Sequence, residues 1–63
     1  MNPFKVGQIL EYIGTIHPRF TIFVTEISND VSFRGTIQTA SEGCKFRLGF
    51  LEDFGIYPFR KLQ

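Results

Sequence analysis

Residues 31–38 read VSFRGTIQ, and residues 44–50 read CKFRLGF. In both stretches apolar or small residues alternate with polar ones almost without exception. A period of two residues is typical of antiparallel strands that turn one face to a core and the other to water. The two stretches therefore predict an all-β fold, and they indicate which side of the sheet a partner could contact.

The size of the chain limits how the fold can be stabilised. With 63 residues the chain forms one small domain at most, and its core must be compact. One cysteine excludes a disulfide within the chain, and one cysteine with one histidine is too few for a structural zinc site. Eight phenylalanines and two tyrosines must then supply most of the core. We expect neither a metal nor a cofactor.

Charge and hydropathy restrict the class of protein. The formal net charge of +1 gives no general electrostatic argument for nucleic acid, although a local basic patch is compatible with it. No apolar run is long enough to span a membrane. The opening MNPFK lacks the charged segment and apolar run of a signal peptide, and we expect Met1 to begin a complete small gene product. The single cysteine suits a reducing cytoplasm, which is the predicted location.

Glycine, proline and polar clusters divide the chain into five predicted strands. A break at Gly7 indicates a bulge or tight bend, and a short helix is the competing interpretation of the segment that follows it. The isoleucines and the flanking glycines favour a strand there. The predicted strands are 8–13, 20–27, 31–39, 44–50 and 56–62, with a loop at 14–19, turns at 28–30 and 40–43, and one 3₁₀ turn at 51–55.

The alternating segments also predict a register. Pairing Phe33 with Val24 on one side and with Phe50 on the other places Gly35 at the centre of three strands, between bulky neighbours. Either a large side chain fills that gap or the sheet bends sharply there, and both are typical of a strongly coiled small barrel. We therefore expect Gly35→Val to be strongly destabilising.

The order of these elements resembles the Src-homology-3-like (SH3-like) small barrel. Residues 6–14, VGQILEYIG, look like its opening strand, and residues 57–62, YPFRKL, look like its closing strand. The resemblance implies a five-stranded antiparallel barrel with a long first loop and a 3₁₀ turn before the last strand. It does not imply binding of Pro-rich peptides, because the chain has no tryptophan and no acidic long loop.

The sequence contains no recognisable catalytic motif. His17 is the only histidine and has no partner residue at a motif spacing, so it is interpreted as a solvated loop residue. Cys44 lies on the predicted inward face, where it packs as a small hydrophobe. The adjacent Glu52 and Asp53 are expected to cap the 3₁₀ turn rather than bind a metal. We predict that the protein is not an enzyme.

The predicted outward face carries three cations and no acid. The register sets Phe23 opposite Arg34, which suggests a cation–π pair. Two interpretations remain open: a surface that binds a partner or stacks on a nucleic-acid base, and a solvated face on which Phe23 is covered by the first strand or loop. The face comprises Thr21, Phe23, Thr25, Ser32, Arg34, Thr36, Gln38, Lys45 and Arg47.

A second candidate surface joins the first loop to the end of the chain. Tyr12 and Tyr57 could form an amphipathic surface there, with Arg60 nearby, because tyrosine supplies both contact area and a hydrogen-bonding group. Packing of these residues in the core or at its rim is the alternative. Phe59, Lys61 and Arg19 belong to the same region.

These features predict a non-enzymatic interaction module that binds a protein partner. Stand-alone barrels of this size resemble phage-type or mobile-element accessory proteins that modulate a host macromolecule. The alternative is a nucleic-acid-binding barrel that uses Phe23, Arg34, Lys45 and Arg47. A structural subunit of a larger assembly is a third interpretation. An open sheet edge would permit edge pairing, so the chain is expected to be a monomer or such a homodimer.

Overall fold

A computed structural model describes residues 1–62, which form one antiparallel sheet of five strands and contain no helix. The sheet order is β4-β3-β2-β1-β5. The predicted all-β class is confirmed. Residues 1–62 contain no helix that could span a membrane. The strands are β1 (Ile9–Tyr12), β2 (Phe20–Asn29), β3 (Ser32–Ala40), β4 (Leu51–Gly55) and β5 (Phe59–Lys61).

The sheet is open rather than closed into the predicted barrel. β4 and β5 are its two edge strands, and no backbone pairing between them occurs within the described residues. The sheet nevertheless curls, because the rings of Phe54 on β4 and Phe59 on β5 meet with their centroids 5.3 Å apart. Side-chain packing therefore joins the two edges.

The core is aromatic, as the composition predicts. Phe33 is fully buried, and its ring lies edge-on to those of Phe59 at 5.3 Å and Phe4 at 5.9 Å. Full burial of one such side chain contributes about 1.5–3 kcal/mol, so a few of them stabilise a small domain. The buried residues are Phe4, Leu10, Tyr12, Phe20, Ile22, Val24, Phe33, Ile37 and Phe59.

The predicted register of β2 on β3 is wrong by two residues, although the assignment of faces is right. Val24 lies opposite Gly35 rather than Phe33, and Ile22 lies opposite Ile37. The displacement begins at the turn, where Asn29 pairs with Ser32, and irregularities that leave Ser28 and Thr25 on β2 without a partner then alter the register by one residue each. A third irregularity leaves Gln38 on β3 without a partner. Such bulges insert one residue into a strand and strengthen its twist.

Gly35 is at the centre of three strands, as predicted, but between Val24 and Glu52. A Cβ atom there would overlap the carbonyl oxygen of Phe23 and lie 2.9 Å from Cγ1 of Ile22. β2 and β3 therefore approach too closely at this point for any side chain at residue 35.

The predicted fourth strand at 44–50 and the predicted 3₁₀ turn at 51–55 are both wrong. Gly43 and Gly49 adopt left-handed φ angles of 86° and 82°, which curl the connecting segment between β3 and β4. The strand forms instead at 51–55, where Asp53 lies opposite Arg34 and Phe54 opposite Phe33. Opposite charges and paired aromatic rings across strands favour this pairing.

The bend at Gly7 and the turn between β2 and β3 were both predicted from the sequence. Gly7 has a φ of 95° and makes the predicted tight bend: its amide donates to the Val24 carbonyl, and the Val24 amide donates to the Gln8 carbonyl. The β2–β3 turn comprises residues 30–31 rather than the predicted 28–30. It is held by the Asn29 side-chain oxygen, which accepts the Val31 amide at 2.9 Å.

Candidate functional site

Three irregular segments converge on one side of the sheet and form a concave aromatic surface. They are the first loop at 13–19, the connecting segment at 41–50 and residues 56–58 before β5. Together with the sheet they enclose a groove of about 380 Å³. We call it the aromatic groove; it is lined by Tyr12, Ile16, His17, Phe20, Phe46, Phe54, Tyr57 and Pro58.

Three phenylalanines form the floor of the aromatic groove. Phe46 lies 4.8 Å from Phe20 and 5.4 Å from Phe54 between ring centroids, and Phe20 lies 5.7 Å from Phe54. Phe20 and Phe54 come from β2 and β4, whereas Phe46 reaches the floor from the connecting segment. Tilted and edge-on rings at these distances attract one another beyond their burial, so the floor is preformed.

Tyr12 fixes the first loop against this floor. Its ring stacks on Phe20 at 5.0 Å, and its hydroxyl oxygen accepts the amides of Ile16 and His17 at 3.2 and 3.3 Å. The hydroxyl hydrogen itself meets no acceptor among residues 1–62. Tyr12 therefore orders the first loop, and it is itself only 6% exposed.

His17 is less exposed than the sequence predicts. Its ring packs edge-on to Phe46 at 5.4 Å and tilted over Tyr12 at 5.8 Å, so it is half-buried rather than solvated. Pro18 follows it and disfavours a helical backbone at residue 17. The imidazole thus forms part of the wall of the aromatic groove.

The rim of the aromatic groove is apolar and open to solvent. Ile16 on the first loop is 84% exposed, and Tyr57 before β5 is 86% exposed. Large apolar side chains standing free beside a concave aromatic floor are typical of a binding surface rather than of core packing.

Of the two predicted pairs of site residues, Phe23 with Arg34 and Tyr12 with Tyr57, the structure brings together only the second. Tyr12 and Tyr57 line the same groove, but Tyr12 packs in the core, as the alternative interpretation predicts, whereas Tyr57 is exposed. Arg60 does not join them. It lies on the opposite face of the sheet, where its Nη2 and Nε contact the Glu11 carboxylate at 2.9 and 3.0 Å.

The predicted cationic face is not cationic. Arg34 donates from Nε and Nη2 to the two carboxylate oxygens of Asp53 at 2.7 and 3.2 Å, and Glu26 is its neighbour on β2. The hydrogen bond with Arg34 holds the pKa of Asp53 below its ordinary value, and the same hydrogen bond raises the pKa of Arg34 further. Phe23 lies opposite Thr36 and Ile9 instead of Arg34.

Lys45 and Arg47 also lie away from the position predicted for them, because residues 44–50 are not a strand. The Lys45 ammonium lies 5.4 Å from the centroid of Phe46, a ring of the groove floor, although Lys45 is not itself a lining residue. The Arg47 guanidinium lies 5.9 Å from the centroid of Phe50. Neither forms an ion pair with another described residue. Cys44 is half-buried against the core, in line with its predicted packing role.

Two features of the surface were missed from the sequence. A row of neighbours crosses the outer face from Ile9 through Phe23 and Thr36 to Leu51. Ile9 and Leu51 are 42% and 52% exposed, so the row is partly apolar. A second groove, of about 390 Å³, lies between the Gly7 bend and the end of β5. Its lining contains no aromatic residue, and neither feature has the preformed floor of the aromatic groove.

Comparison with known proteins gave no match to a family model, to a curated protein or to a solved structure.

Proposed function

We propose that the protein is a non-enzymatic interaction module that binds an apolar segment of a protein partner in the aromatic groove. The observation that carries the proposal is a preformed aromatic floor beside two apolar rim residues, Ile16 and Tyr57, that are almost fully exposed. Each of these side chains would contribute about 1.5–3 kcal/mol if a partner covered it.

The dimensions and chemistry of the groove suit a peptide. A volume of about 380 Å³ is within the range of about 300–1,000 Å³ that ligand sites occupy. The floor is apolar, while the Tyr12 hydroxyl supplies a donor for a backbone carbonyl. Three separate segments form the walls, so a ligand that contacts all three must be longer than one side chain.

The groove does not have the arrangement of a catalytic site. Nucleophilic catalysis needs a nucleophile within hydrogen-bond reach of a base. His17 packs against rings, and Cys44 packs against the core. Among residues 1–62, neither the His17 imidazole nor the Cys44 thiol forms a hydrogen bond with another side chain. These contacts support a binding role.

Other parts of the proposal come from the sequence. We propose that the protein is a cytoplasmic module of phage or mobile-element type that modulates a host macromolecule. We also propose that its fold is an open relative of the SH3-like barrel, which the five-strand order and the long first loop support. β4 and β5 each have one unpaired side within the described residues, which supports edge pairing into a homodimer.

A library of random dodecapeptides displayed on cells tests the binding role. We expect enriched peptides on the wild-type protein and loss of their binding by about tenfold or more with Ile16→Ser. Val31→Ser is the matched control, because Val31 is also β-branched and is 64% exposed, but lies at the β2–β3 turn. Val31→Ser should bind the enriched peptides with an affinity within about twofold of wild type.

Absence of enriched peptides, or equal binding by the two serine variants, would contradict the proposal. A parallel titration with single-stranded and duplex oligonucleotides at about 50 mM salt tests the alternative of nucleic-acid binding, which is strongest at low salt. Binding of oligonucleotide in place of peptide would favour that alternative.

A further inference from the structure

Two polar groups at or beside the aromatic groove can donate hydrogen bonds. The Tyr12 hydroxyl uses its oxygen for two loop amides, which leaves its hydrogen to donate. The Lys45 ammonium lies 5.4 Å from the ring of Phe46, which forms part of the floor. A ligand that satisfies both must bring acceptors, and one of them should be negatively charged.

Lys45 is free to meet such a charge. Three of the arginines, Arg19, Arg34 and Arg60, have carboxylate partners, whereas Lys45 has none among residues 1–62. Its position over a ring also suits binding, because a cation held against an aromatic face is already partly oriented.

No acid lines the groove to compete for Lys45 or to repel an anion. Glu11 lies on the other face of the sheet, bound to Arg19 and Arg60. Glu42 precedes Lys45 in the connecting segment, and Glu52 is two residues from Phe54 on β4, but neither is a lining residue.

We propose that the partner segment is acidic: an aspartate or glutamate carboxylate binds Lys45 while a neighbouring apolar side chain enters the aromatic groove. The Tyr12 hydroxyl donates to a carbonyl of the same segment. This inference rests on the proposed function, since it specifies the class of peptide that the groove accepts.

Selection from the same dodecapeptide library on three forms of the chain tests the charge preference. Lys45→Glu reverses the charge at the groove. Lys5→Glu is the matched control, because it changes the net charge equally at an exposed residue whose ammonium lies over no ring of the groove. Both residues are exposed, so neither change should prevent folding, which circular dichroism checks.

We expect the peptides selected by wild type and by Lys5→Glu to be enriched in aspartate and glutamate beside apolar residues. Lys45→Glu should lose this enrichment, and it should bind a selected acidic peptide about tenfold or more weakly than Lys5→Glu does. Raising the salt concentration should reduce the difference, because the rim is open to solvent.

Enrichment without an acidic preference, or an acidic preference that persists in Lys45→Glu, would overturn this inference and leave the proposed function standing. Failure to enrich any peptide would overturn both. Binding of an oligothymidylate that is lost in Lys45→Glu would assign Lys45 to nucleic acid and would also overturn the inference.

Discussion

Gly14 and Tyr12 lie so close together that a Cβ atom at residue 14 would overlap the tyrosine hydroxyl and lie 2.8 Å from Cγ of Pro58. Tyr12 and Pro58 both line the aromatic groove, and the Tyr12 hydroxyl orders the first loop. The absence of a side chain at residue 14 therefore allows two walls of the groove to meet.

Gly14→Ala should displace Tyr12 and lower the free energy of unfolding by about 1–3 kcal/mol, as overpacking commonly does. Urea denaturation measures the change. Gly55→Ala is the control, because the nearest atom to a Cβ there is the Val31 carbonyl oxygen at 3.7 Å. Equal stability of the two variants would show that residue 14 is not in close contact with Tyr12.

Gly35→Ala should be destabilising by about 1–3 kcal/mol or more, and Gly35→Val should be worse, because the added atoms meet the β2 backbone rather than a flexible side chain. Thermal unfolding followed by circular dichroism measures this. A Gly35→Val protein as stable as wild type would disprove the observed pairing of Val24 with Gly35.

Phe46→Ala should weaken peptide binding and cost about 1–3 kcal/mol of stability, because it removes a half-buried ring from the groove floor. Phe50→Ala is the control, because the Phe50 ring is 52% exposed and does not line the aromatic groove. It should change stability by less than about 1 kcal/mol and leave binding unchanged. Similar losses in both variants would argue against a specific floor.

The Arg34–Asp53 pair should make stability depend on acid pH. Since the folded-state pKa of Asp53 is lowered by Arg34, the pair stabilises the fold above the unfolded-state pKa. That contribution is lost as the pH falls through the folded-state value, and it is small because both groups are exposed. The carboxyl ¹³C shift of Asp53 reports the pKa, which Arg34→Gln should raise. An unchanged pKa in that variant would contradict the assignment.

The strands that the sequence predicts well are those whose pattern is local. Alternation around Phe33 and the β-branched run after Phe20 locate β3 and β2 and assign their faces. The register depends on the position of the turn and on bulges at Ser28 and Thr25, where no residue type marks the insertion, so the pairing of Val24 is displaced by two residues.

The position of β4 could not be predicted, because residues 44–50 alternate but form no strand, whereas residues 51–55, LEDFG, form a strand without alternating. The choice between them depends on the left-handed φ of Gly49 and on the pairing of Asp53 with Arg34, which is distant in sequence. The error moved Lys45 from the sheet face to the groove. Tyr12 and Tyr57 were predicted to meet because the first loop and the segment before β5 are adjacent in this strand order.

Amide chemical-shift mapping with a selected dodecapeptide determines whether a partner binds in the aromatic groove. Binding should shift the ¹H–¹⁵N resonances of the first loop, the connecting segment and residues 56–58. Amides beside Ile9, Phe23 and Leu51 on the outer face should stay unchanged. Shifts concentrated on that outer row, with the groove segments unaffected, would contradict binding in the groove.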